Sequence, residues 1–183
     1  MLILILGVAL WWAAHLFKRI APAQRASMGD RGKAMVTGAL VLSIILMVIG
    51  YQGAQGAVYW GPSPAMVGIN NLLVLVAIYL FAASGMKTKV TSFTRHPQLW
   101  GFSLWAVAHL LVNGDVPSFV LFGGLLVWAL LEMVLINRAA PWVRPKGPFP
   151  ARKEAMAAGG AVIVLIVLGL IHGWIGPWPF GGA

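Results

Sequence analysis

The chain has 183 residues, of which 60% are apolar and only 9% charged, with a net charge of +9. Soluble domains carry roughly 25% charged residues, so a water-soluble enzyme and a disordered chain are both excluded. Mean hydropathy is +0.87, and several apolar runs approach the ~20 residues that cross a bilayer as a helix. The composition therefore predicts an all-α, polytopic membrane protein in contact with a lipid bilayer. Continuous rather than alternating apolar runs argue against a β-barrel. Without cysteines, disulfides, thiolate metal sites and cysteine nucleophiles are absent.

Six spans are predicted in chain order: Leu2 to Phe17, Ala34 to Tyr51, Ala65 to Gly85, Gln98 to Val112, Val116 to Ile136, and Ala155 to Trp174. The first starts without a preceding basic stretch or a small-residue cleavage site and reads as a retained helix. Lys18, Arg19, Arg25, Arg31 and Lys33 follow span one, and Lys87, Lys89 and Arg95 follow span three. Arg138, Arg144, Lys146, Arg152 and Lys153 follow span five, which completes the 13 basic residues. With six spans they share one side, which the positive-inside rule makes cytoplasmic, and both termini lie on the periplasmic side. The positive charge thus orients the chain and meets anionic lipid instead of nucleic acid. Tyr51, Tyr59, Trp60, Trp174 and Trp178 fall where an outer interfacial belt belongs. The loop Arg19–Lys33 has room for a short interfacial helix. Pro141, Pro145, Pro148 and Pro150 predict an irregular segment before span six. No repeat, soluble domain or signal for oligomeric state is visible.

Ionisable groups inside spans are functional candidates by default. At about 1.5 Å per residue, His15, Ser84, Arg95, His96, Glu132 and Asn137 fall in the cytoplasmic half. His109 and His172 fall toward the outer half. Pro97 suits a first helical turn, which puts Arg95 and His96 at a helix N-terminus that attracts anions. His96 and His109 lie about 20 Å apart along one helix, so any metal must pair histidines from different helices. By depth, His109 matches His172. Glu132 is read either as a functional carboxylate or as a partner of Arg95 or Arg138.

The whole chain resembles the NnrU family of bacterial membrane proteins, which is associated with nitrogen-oxide respiration. The stretches that carry this are Trp11-Trp12-Ala13-Ala14-His15, Asn70-Asn71-Leu72, Phe81 to Lys87, Arg95-His96-Pro97-Gln98 and Trp105 to Asp115. The domain is also similar to the plant zeta-carotene isomerase, which binds haem b through two histidines. The resemblance implies an inner-membrane protein with haem b and His15 and His109 as axial ligands, His172 being in reserve. It further implies a redox or isomerase-like reaction on a lipophilic small molecule and a respiratory enzyme as partner. Arg95 is then the first choice for the propionates, with His96, Trp105 and Glu132 near the cofactor. Ala106 stands where the isomerase pattern has cysteine, which removes any thiol-based ligand exchange.

Two other readings stay open. The Arg95-His96-Pro97…Gly101 opening resembles the isoprenylcysteine methyltransferase family, with Arg95, His96 and Glu132 holding S-adenosylmethionine. That family's tail is not evident over Asn137 to Pro150. A non-enzymatic respiratory accessory factor is the third reading.

Overall fold

The computed structural model describes residues 1–181 and is mostly helical. Helix α1 (Leu2–Ile20) leads through the short α2 (Pro22–Ser27) into α3 (Gly29–Gln52), and α4 is Pro64–Met86. Helix α5 (Pro97–Val112) opens on Pro97 and ends at Asn113. Helix α6 (Val116–Ser118), a wider π-type stretch at Phe119–Gly123 and α7 (Gly124–Ala139) run on as one rod, and α8 is Ala151–Ile175.

Among the described residues five helices, counting the rod Val116–Ala139 once, are long and apolar enough to cross a membrane. Helix α5, the fourth predicted span, has only 16 residues, about 24 Å at the usual rise, and falls short of that length. The expected short helix in the first basic loop is α2. Helix α3 begins at Gly29, five residues before the predicted start, because nothing between Gly29 and Ala34 breaks the helix. The Pro-rich stretch 141–150 is irregular, as its four prolines predict.

Contacts between helices fix their directions. Gly7 lies against Met47 and Gly50 against Leu4, so α1 and α3 are antiparallel. Gly101 near the start of α5 lies against the Ala77 carbonyl, where a Cβ would sit 2.7 Å from that oxygen, and Trp60, just before α4, bonds to Leu110 near the end of α5, so α4 and α5 are antiparallel as well. Buried Ala77, Ala106 and Ala108 belong to the same pair of helices. Small residues let helices pack this closely where lipid supplies no hydrophobic drive. Trp12 Nε1 donates to Gly124 O at 3.1 Å, and Arg19 Nε to Glu132 Oε1 at 2.8 Å. Helix α1 is therefore parallel to α7. Tyr79 donates to Glu154, and Asn71 to Pro179 beyond the far end of α8, so α4 and α8 are antiparallel.

The consequence is an alternating bundle with every basic residue at one end. At the opposite end Val58–Trp60 pairs antiparallel with Gly114–Asp115, a short ladder that covers the turn after α5. There Trp60 Nε1 donates to Leu110 O at 3.0 Å. Asp115 caps the rod by accepting from Ser118 N at 2.7 Å. The outer surfaces of α3 and α8 are apolar, with Ile45, Ile49, Ile163 and Leu170 about half exposed or more. These faces meet lipid, which makes this a multi-pass membrane protein. The apolar core sits where Leu4, Val8, Met47 and Leu125 meet.

Candidate functional site

Between α4, α5, α8 and the segment after α8 lies a half-open, mainly apolar cavity of about 730 Å³. Small-molecule and cofactor sites span about 300–1,000 Å³. Phe81, Phe102 and Trp105 form aromatic parts of its wall, and Asn70, His109 and His172 supply polar parts. The segment Gly176–Gly181 folds back as a strap along α8. Trp178 packs on Gly173 and Phe180 on Gly169, positions where any side chain would collide. Two bonds hold the strap: Asn71 Nδ2 donates to Pro179 O at 3.0 Å, and His172 Nδ1 donates to Pro177 O at 2.7 Å.

The sequence motif Trp-x-x-x-His occurs in both α1 and α5, and the helix gives it the same geometry twice. His15 Nδ1 lies 3.0 Å from Trp11 O, and His109 Nδ1 lies 2.8 Å from Trp105 O. A carbonyl only accepts, so the proton resides on Nδ1 and the Nε2 lone pair is left free in each ring. Ligating histidines are commonly oriented by such a bond. Each ring also rests on its own tryptophan, at centroid distances of 4.3 Å for Trp11–His15 and 4.9 Å for Trp105–His109.

The two motifs do not face a common space. His109 lines the cavity and stacks on Phe122 at 4.7 Å, a ring presented by the π-type stretch. His15 is outside the cavity lining and packs on Trp128 at 4.4 Å. Phe122 and Trp128 are six residues apart on one rod, so the imidazoles differ by about 9 Å in depth. An aromatic run connects them, from Trp11 through Phe102 (6.0 Å) to Trp105 (5.2 Å). Two imidazoles that grip one iron from opposite faces need an open slot between them, and this pair has rings there instead. His109 and His172 do line one cavity, each with Nδ1 anchored, so the ligand chemistry for haem fits that pair. No lysine or arginine lines the cavity, so propionates would have to be solvated rather than ion-paired.

The expected cytoplasmic-side cluster divides in two. Arg95 donates to Ala140 O at 2.6 Å and to Asn137 Oδ1 at 3.3 Å, and His96 Nε2 lies 2.9 Å from the same amide oxygen. Glu132 pairs with Arg19, neither with Arg95 nor with Arg138. Arg95 is thus outside the cavity lining, and Arg95, His96 and Glu132 do not converge on one ligand as the methyltransferase reading requires. Trp105 is in the cavity wall.

Sequence reasoning missed Trp11, Phe102, Phe122 and Trp128 as a connected aromatic layer, and Asn70 as a cavity residue. The repeated Trp-x-x-x-His was the available signal for the layer. Among the described residues, Trp11 Nε1, Trp128 Nε1, Asn70 Oδ1, Thr88 Oγ1 and Glu132 Oε2 are buried without a partner. No cluster of three or more His, Cys, Asp or Glu suited to a metal occurs among the described residues.

Alternating apolar helices, basic residues gathered at one end and an imidazole-bearing apolar cavity define a multi-pass membrane protein with a cavity among its helices. The chain matches the family described as NnrU protein over residues 3–179. It belongs to the NnrU family. No curated protein matches the chain significantly, and neither does any solved structure.

Proposed function

We propose that this NnrU-family protein crosses the bacterial inner membrane six times and binds a flat, lipophilic redox-active molecule in the cavity beside His109, in support of respiratory nitrogen-oxide metabolism. Helix α5 is the shortest crossing, and the paired outer loop over its turn completes the depth. The basic end faces the cytoplasm, where lysine and arginine are retained, and the termini face the periplasm. The observation that carries the reading is the cavity itself: half-open, aromatic-walled, and holding an imidazole anchored to leave Nε2 free.

The test is extraction of the protein with its native lipids in polymer-bounded particles, followed by mass spectrometry and absorption spectroscopy. An apolar chromophore should co-purify with the wild type and be lost from Val74→Trp, which fills the cavity. Recovery of phospholipid alone from both would overturn the proposal.

Haem b is the second reading, favoured by the two anchored imidazoles of His109 and His172. If bound, haem would be held by His109 and His172 and would supply one-electron chemistry. The protein's part would be to present both Nε2 atoms and to exclude water with Phe102, Trp105 and the strap. A Soret band that shifts in His109→Ala and His172→Ala but not in His15→Ala supports this. A band that depends on His15 and not on His172 restores the pairing implied by resemblance. An accessory role without ligand turnover predicts that cavity variants leave the cellular phenotype intact.

A further inference from the structure

We propose that the cavity is loaded sideways from the bilayer, through a mouth between α5 and α8, and that the strap seals its outer end against water. This rests on the reading of the cavity as a lipophile site and adds how its occupant arrives: uncharged, dissolved among acyl chains, and without crossing an aqueous phase.

The walls decide where the opening lies. Helix α4 forms the floor, since it packs on both α5 and α8. The contact of Gly101 with the Ala77 carbonyl closes the seam between α4 and α5, and the bond from Tyr79 to Glu154 ties α4 to α8. Helices α5 and α8 share no comparable packing. Among the described residues the lining comes from α4, α5, α8, Pro62, Asn113 and the strap, and α1, α3 and the rod contribute nothing to it. The side opposite α4 is therefore left open by the protein. Its α8 rim is aliphatic: Val164, Leu168 and Ile171 line the cavity and are nevertheless 43%, 49% and 47% exposed.

The outer end is closed by other means. The strap residues Pro177 to Phe180 line the cavity there. Phe180 presses on Gly169 and Trp178 on Gly173, while Asn71 and His172 hold the strap backbone by hydrogen bonds. Depth then places the open side in lipid. Phe81, the α4 lining residue nearest the basic end, lies six residues before Lys87, about 9 Å along the helix, and Val67 lies about 21 Å beyond it. The hydrocarbon core is about 30 Å thick, so the mouth opens onto acyl chains, mostly in the leaflet away from the basic residues. No Lys, Arg, Asp or Glu lines the cavity among the described residues. A charged molecule would lose its hydration in the mouth and meet no counter-charge. An uncharged lipophile passes from one apolar medium to another at little cost.

The test places the full-length protein in nanodiscs that contain a phospholipid with a diazirine midway along its acyl chain, a label that cannot travel through water. Photolysis and peptide mass spectrometry read the acyl contact of each residue, and hydroxyl radicals generated in the surrounding water read its contact with solvent. Trp105 and Val74, inside the cavity, should take up acyl label along with the lipid-facing Ile163 and Leu170. Oxidation of Trp105 should stay about tenfold or more below that of the exposed Trp174, the protection of a site that meets water only when the strap lifts. Leu168→Trp, which narrows the mouth, should remove most of the acyl label from Trp105 and Val74 and leave Ile163 unchanged. Trp178→Ala/Phe180→Ala should raise oxidation of Trp105 several-fold, with helical ellipticity as the folding control for both variants. The wild-type comparison needs no variant and stands if either fails to fold. Trp105 free of acyl label but oxidised as readily as Trp174 means that the cavity opens to water, which overturns the sideways route and leaves the lipophile site to be judged by co-purification. Acyl labelling of Trp105 that survives Leu168→Trp overturns the mouth, and oxidation unchanged in the strap variant overturns the seal. A dimer in which the α8 rim escapes acyl label means that a second copy covers the mouth, which overturns the route. Trp105 reached by neither label overturns it as well, and if no apolar molecule then co-purifies, the lipophile-site reading falls with it.

Discussion

The parallel pairing of α1 with α7 rests on an ion pair whose removal has a calculable effect. Arg19 Nε lies 2.8 Å from Glu132 Oε1, and the side chains are 29% and 9% exposed. Glu132 Oε2 is buried without a partner, so its carboxylate has Arg19 as its one neighbouring cation. Arg19→Met leaves that charge in a poorly solvated place, which costs about 3–5 kcal/mol for a fully buried pair. The partial exposure of Arg19 lets water reach it, and about 2–3 kcal/mol is the figure to expect. For a chain of this size that corresponds to a drop of roughly 5–10 °C in Tm. Arg19→Met/Glu132→Leu removes the orphaned charge as well, and should recover most of the loss, since apolar replacement of a buried pair is often neutral or better. Thermal unfolding in detergent, followed by tryptophan emission, reads the series. A double variant as unstable as Arg19→Met would refute the account, as would an Arg19→Met protein within about 1 °C of wild type.

Three further outcomes are expected. Gly101→Leu should destabilise by about 1–3 kcal/mol, because its first carbon already meets the Ala77 carbonyl; a melt unchanged from wild type would remove that close approach as the basis of the α4–α5 packing. Because the chain lacks cysteine, single cysteines report topology cleanly. Ser63→Cys should react with an impermeant maleimide in intact cells and Thr91→Cys only after lysis, and the reverse would invert the bundle in the membrane. Asn71→Ala should free the strap at Pro179, at a cost of about 0.5–1.5 kcal/mol. Faster amide hydrogen exchange confined to residues 176–181 is the sign to look for, and unchanged exchange would deny the bond its role.

Most of the helical framework was legible because it is written locally. Apolar runs set the helices, Pro97 marked the start of α5, and the prolines from Pro141 to Pro150 set the irregular stretch. Alternation of basic and non-basic loops predicted which ends lie together, and the helix contacts agree. Glu132 was readable as a buried carboxylate but not as Arg19's partner, because that pairing depends on α1 lying parallel to α7, a long-range choice. The 9 Å offset between His15 and His109 was half visible, since their estimated depths already disagreed. What could not be read was the cavity. It forms where the strap turns back on α8, and this depends on Gly169 and Gly173 accepting Phe180 and Trp178, residues that look like interfacial aromatics in isolation. Asn70 looked like one member of a polar pair until the Pro179 carbonyl fixed which way both amides point.

Helix α8 stands on one side of the cavity, packs principally on α4 and is reached through the irregular stretch 141–150. The aromatic layer and the arginine–glutamate pair belong to α1, α5 and α7 instead. Selection can therefore reshape the cavity rim, by exchanging side chains such as Val164 or Leu168, without disturbing the packing that keeps the rest of the protein upright. Cavity outline and sturdiness are separable traits here, and relatives with the same scaffold are free to differ in the first without loss of the second.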